Sequence, residues 1–136
     1  MTMMTHSMAR SIAEAAWGRG GTHSYRTNRY GAFYFSCSGH GGFVIDARAL
    51  SDEQYIKISK YVPPQQATQY GGAVMHPYRT RSLRTAHPPK PFKFFMLEED
   101  CDWCLAPLFA NINLVENPFS IELAQRTFDQ WIAKRP

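Results

Sequence analysis

The chain has 136 residues, 44% of them hydrophobic, with nine Phe, seven Tyr and three Trp, enough to bury about two-thirds of its unfolded surface in one core. Its formal charge is +4, and no apolar run approaches the roughly 20 residues that cross a bilayer. The Met- and Thr-rich start lacks the cationic and apolar regions of a secretory signal, so a cytoplasmic protein is expected, its three cysteines reduced and without a disulfide framework.

In chain order, residues 1–9 read as a polar, Met-rich tail without periodicity, and residues 10–136 as one α+β domain, a small antiparallel sheet packed by three or four helices. Ser11 and Glu14 have capping-box spacing for a short helix through Trp17, which Gly18-Arg19-Gly20-Gly21 would end. Tyr30 to Phe35 and Gly42 to Ile45 read as two strands of a hairpin, joined by a loop containing Ser38-Gly39-His40-Gly41-Gly42.

The best-marked helix follows. Ser51 is its N-cap, Asp52 and Glu53 suit its positive start, Gln54 completes a capping box, and Leu50 with Tyr55 has the spacing of a hydrophobic staple. Tyr55, Ile58 and Val62 share a face, and Pro63-Pro64 stops the helix. Residues 64–91, rich in Pro, Gly, Gln and Arg, read as a long functional connection with one strand near Gly72 to Met75.

Phe92 to Met96 reads as a strand running into Glu98-Glu99-Asp100-Cys101-Asp102-Trp103. Leu97, Cys101, Cys104 and Leu108 repeat at helical spacing, which predicts that the acids open a helix and that Pro107 kinks or ends it. Asn117-Pro118 or Ser120 starts the last helix, where Ile121, Ala124, Phe128, Trp131 and Ile132 form an apolar stripe that is expected to be core.

Charge divides unevenly along this map. Residues 1–97 hold twelve Lys or Arg against four Asp or Glu, whereas residues 98–136 hold three against seven. Arg79, Arg81, Arg84, Lys90 and Lys93 fall in an acid-free stretch that also contains Tyr70 and Tyr78. Such a stretch is either a solvated basic loop or a contact for an acidic protein or a nucleic acid, with the tyrosines as anchors or stacking groups.

Two strings carry reactive groups. Three glycines around His40 allow positive φ and close backbone approach, so the imidazole is either presented as a general acid or base or held in a tight connection. The acids Glu98, Glu99 and Asp100 are explained by a helix start, yet with His40 and Cys101 they also make a candidate catalytic set. Carboxylates beside Cys101 disfavour its thiolate, which argues against a redox CxxC at Cys101 and Cys104. Cys37, His40, Cys101 and Cys104 supply a Cys₃His set for zinc, although the helical spacing of Cys104 directs it to the core.

Ala16-Trp17-Gly18, Ser38-Gly39-His40-Gly41-Gly42-Phe43 and Glu98-Glu99-Asp100-Cys101-Asp102-Trp103 together make the chain similar to a small uncharacterised domain family of bacterial plasmid and phage proteins. The resemblance spans roughly residues 15–133 and singles out Trp17, His40, Gly41, Gly42, Glu99, Asp100, Cys101 and Trp103. Cys37 and Cys104 are not part of that pattern. The resemblance implies a mobile-element setting and no particular reaction.

Two expectations of different class follow. The first is a binding protein that inhibits a host defence complex such as a CRISPR effector or nuclease, with no cofactor and no membrane. The second is a small enzyme with His40 as general base, oriented by Asp100 or Glu99, and Cys101 as nucleophile. Direct nucleic-acid binding by the basic stretch is a third.

Overall fold

The computed structural model describes residues 3–18, 22–70, 73–75 and 90–135. Among these residues six strands form one antiparallel sheet: β1 (His23–Tyr25), β2 (Ala32–Cys37), β3 (His40–Asp46), β4 (Gln65–Tyr70), β5 (Ala73–Met75) and β6 (Lys90–Glu98), in the order β1-β2-β3-β6-β4-β5. With α1 (His6–Trp17), α2 (Asp52–Ser59), α3 (Leu105–Ala110) and α4 (Ile121–Thr127) it makes a single α+β domain. Among the described residues no helix is long and apolar enough to cross a membrane.

Strand alternation divides the core into two layers. Phe35, Cys37, Val44, Phe92, Phe94 and Met96 face α1 and meet Met8, Ile12 and Trp17. The alternate residues Tyr34, Phe43, Ile45, Phe95 and Leu97 face the other way and pack with Ile58, Trp103, Leu105, Ile112 and Ile132. Burial on both faces explains why β3 and β6 read as continuous apolar runs rather than alternating ones.

The N-terminal segment corrects the expected tail. Thr5 caps α1 by accepting the Met8 amide at 3.2 Å, and Met4 and Met8 are buried. The Met4 amide donates to the buried Asp46 carboxylate at 2.7 Å, and that carboxylate also takes Arg48 Nη2 at 2.8 Å. Met4, Met8 and Ile12 thus repeat at helical spacing, and α1 begins six residues before the Ser11 cap would place it. Ser11 lies inside the helix with its hydroxyl on the Ser7 carbonyl.

The capping box of α2 is as expected: Ser51 Oγ accepts the Gln54 amide at 3.1 Å, and Gln54 Oε1 accepts the Ser51 amide at 3.0 Å, a reciprocal cap worth about 1 kcal/mol, but the helix ends at Ser59, before Val62 and the two prolines expected to stop it. Within the connection 64–91, the described residues include a strand that was not expected, β4, which pairs with both β5 and β6. Its polar sequence Gln65-Gln66-Ala67-Thr68 hides a strand in which Ala67 enters the α1 layer.

The last helix also departs from expectation. Ser120 caps α4, and Ala124 and Ile132 are buried, but Ile121 and Trp131 are exposed. Ile121 stands in the first turn. Past Thr127 the chain widens into a π-turn over Phe128–Ile132, where the Ala133 amide reaches back five residues to the Phe128 carbonyl at 2.9 Å. The wider turn changes the angular step per residue, and the stripe is broken before Trp131.

Candidate functional site

The expected hairpin closes more tightly than the six-residue loop 36–41 that the sequence suggests. β2 and β3 pair as far as Cys37 and His40, leaving Ser38 and Gly39 as the turn, with Gly39 at φ +83°. His40 is therefore the first residue of β3 and is exposed. The next two glycines have a steric cause. A Cβ on Gly41 would run into the Phe35 carbonyl oxygen, and one on Gly42, at φ +147°, into the Leu97 carbonyl oxygen.

The acids do not start a helix. Glu98 closes β6 opposite Gly42, Glu99 and Asp100 form a turn, and a 3₁₀ turn over Asp102–Cys104 leads into α3. Pro107 is accommodated as the third residue of α3, where its missing N–H has no intrahelical partner to lose.

The two strings adjoin through their backbones: the Glu99 amide donates to the Gly41 carbonyl at 2.8 Å. Their side chains part. His40 shares the face of its partner Cys37, toward α1, while Glu99 follows Leu97 to the opposite face. There Glu99 Oε2 lies 3.1 Å from the point a Gly41 Cβ would occupy. Burial, reinforced by Glu99 and Tyr25, pushes the Tyr34 phenol up to about 12. Continued register would set Asp100 across from His40, but the chain has already left the strand, and both residues are exposed.

Cys101 is engaged elsewhere. Its thiol donates to Asp102 Oδ1 at 3.6 Å, and Arg135 Nη2 reaches Cys101 Sγ at 3.2 Å and Asp102 Oδ1 at 2.7 Å. Burial and the Asp102 charge raise the thiol above its ordinary range despite Arg135. A protonated thiol is a poor nucleophile. Trp103 is a core residue whose ring lies tilted against Phe119, centroids 4.5 Å apart, and Cys104 is fully buried, its thiol pushed up to about 12 by burial first and Asp102 second.

The sheet itself separates the zinc set, since Cys37 is buried in the α1 layer and Cys104 in the opposite layer. Among the described residues no three His, Cys, Asp or Glu side chains gather to hold a metal. Trp17 is likewise packed in the α1 layer.

Of the predicted contact residues, Lys93 is exposed with its ammonium 5.9 Å from the Tyr55 ring, Lys90 opens β6 and Tyr70 closes β4. Tyr78, Arg79, Arg81 and Arg84 lie outside the described residues. Sequence reasoning passed over residues 24–29, which with the start of β2 line a groove of ≈ 780 Å³. The available signal was the pairing of an aromatic with a basic residue in Tyr25-Arg26 and again in Arg29-Tyr30.

Comparison of the chain with protein-family models, with curated proteins and with solved structures finds no match.

Proposed function

We propose that the chain is a cytoplasmic binding protein of a bacterial mobile element, acting without a cofactor to occlude a host defence complex such as a CRISPR effector or nuclease. The observation that carries this reading is the divergence of Glu99 from His40 across the sheet, with Cys101 held as a thiol against Asp102. General-base catalysis needs the base and its orienting group within hydrogen-bond reach. A binding surface needs only complementary patches.

Charge placement supports the same reading. Lys90 and Glu98 mark the two ends of β6, and at about 3.4 Å per residue these lie roughly 27 Å apart. Exposed Lys93 stands near one end of that strand and the acidic turn leaves it at the other, so a partner meets opposite charges along its length.

A bacterial host whose CRISPR effector targets a phage provides the test. Expression of the chain restores plaque formation, His40→Ala and Cys101→Ala leave that rescue intact, and joint replacement of Arg79, Arg81 and Arg84 by Ala removes it with little change in melting temperature. Rescue that disappears with His40→Ala alone, in a folded protein, would favour the enzyme instead. No rescue in hosts carrying other nuclease-based defences would sink the inhibitor reading altogether.

A further inference from the structure

Edge strand β1 and the connection that follows it form one side of the ≈ 780 Å³ groove, with Met4, Thr5, His6 and Val115 among the other lining residues. Arg26, Arg29 and His6 belong to that lining, and among the described residues no carboxylate does. Thr5 is the N-cap of α1, so the positive end of a twelve-residue helix borders the same groove.

The groove is built to hold its shape. Arg29 is turned inward, donating from Nη1 to the Ala49 carbonyl at 2.9 Å and from Nη2 to the Ala110 carbonyl at 2.8 Å. Asn28 Oδ1 accepts the Asn113 amide at 2.9 Å, and the Arg26 carbonyl accepts the Val115 amide at 2.9 Å. On this fixed backbone the Arg26 side chain is exposed. The His6 ring rests against Phe33 and Phe35 at 5.9 and 5.5 Å.

Two aromatic rings remain open to solvent: Tyr30 is 78% exposed and Tyr25 is 48% exposed, the latter steadied edge-on against Tyr34 at 5.9 Å. An exposed arginine in a lining without acids selects an anionic ligand, and the exposed rings of the same lining select one with flat faces. We infer that this groove binds a short stretch of single-stranded nucleic acid, with Arg26 at the phosphates and Tyr25 and Tyr30 stacking bases. An acidic peptide would satisfy the charges but leave the rings idle. A duplex keeps its base faces inside its own stack. The inference goes beyond the partner reading and uses none of its basic-stretch residues, so either can fail alone.

Fluorescence anisotropy with a labelled oligo-dT and oligo-U of about ten nucleotides, at low and at physiological salt, tests it. Both probes bind the wild type, and binding weakens steeply with salt. Tyr30→Ala costs about tenfold in affinity while Tyr30→Phe retains it, because the ring and not the hydroxyl stacks. Arg26→Ala weakens binding and lowers the salt slope by about one. Circular dichroism confirms that each variant is folded. The inference is overturned by no binding at low salt, by binding indifferent to Tyr30→Ala, or by equal or tighter binding of a labelled poly-glutamate peptide or of duplex DNA.

Discussion

The amide of Glu99 donates to the carbonyl of Gly41 at 2.8 Å, and this bond joins the two most chemically loaded strings of the chain by their backbones alone. Such close approach leaves no room for a β-carbon. Gly41→Ala would press on the Phe35 carbonyl oxygen and Gly42→Ala on the Leu97 carbonyl oxygen, both rigid backbone atoms. Each substitution is expected to destabilise the fold by about 3 kcal/mol, or roughly 10 °C in melting temperature. Gly39→Ala meets open space and has only its φ of +83° to overcome, so about 1 kcal/mol is expected there. Thermal unfolding of the three variants checks the order, and a Gly41→Ala protein as stable as the wild type would contradict the packing described.

Asp46 anchors the N-terminal segment. Its fully buried carboxylate accepts the Met4 amide at 2.7 Å, the Arg48 amide at 2.9 Å and the Arg48 guanidinium at 3.0 and 2.8 Å. Asp46→Ala strands the Met4 N–H and unpairs Arg48, at an expected cost of about 3 kcal/mol. Deleting residues 1–5 removes the Met4 contact and the Thr5 cap together. Hydrogen exchange should then accelerate across α1 and leave α2 to α4 protected; uniform protection in the truncated chain would show that the anchor is unimportant.

The elements that could be read from the sequence are those whose determinants are local. Ser51 and Gln54 cap α2 as their spacing implies because both partners lie within one turn. β4 was hidden because Gln65, Gln66, Thr68 and Gln69 carry no apolar alternation, its place being fixed by pairing with β6, across a sequence gap that no local pattern bridges. Trp131 was misread because a helical stripe assumes a constant turn, and the π-turn at Phe128–Ile132 changes it. At the candidate site, the glycines gave the close approach correctly, but the facing of His40 and Glu99 depends on strand register. Register placed them on opposite faces.

Alkaline pH should weaken the fold through two buried acids. Burial, then Glu99 and Tyr25, raises the Tyr34 phenol from 10.0 to about 12, and burial, then Asp102, raises the Cys104 thiol from 9.0 to about 12. Both are neutral when folded and ionise more readily when unfolded. Their stabilising contributions are complete below about pH 9 and are lost as pH rises toward about 12, where the folded forms also ionise. Melting temperatures taken from pH 8 to 11 should fall, and Tyr34→Phe should make that fall shallower. An unaltered slope in Tyr34→Phe would remove Tyr34 from the explanation.

The thiols should differ in reactivity for the same physical reasons. Cys37 and Cys104 are buried, whereas Cys101 is partly exposed and donates to Asp102. Iodoacetamide at pH 8 is expected to modify Cys101 slowly and to spare the other two until denaturant is added. Asp102→Asn removes a charge that, after burial, is the main cause of the raised Cys101 pKa. More thiolate then forms at the same pH, and alkylation of Cys101 should accelerate by about threefold or more. Mass spectrometry of the labelled peptide gives the rate, and a slower reaction in Asp102→Asn would mean that Asp102 activates this sulfur instead of restraining it, which would return Cys101 to the list of candidate nucleophiles.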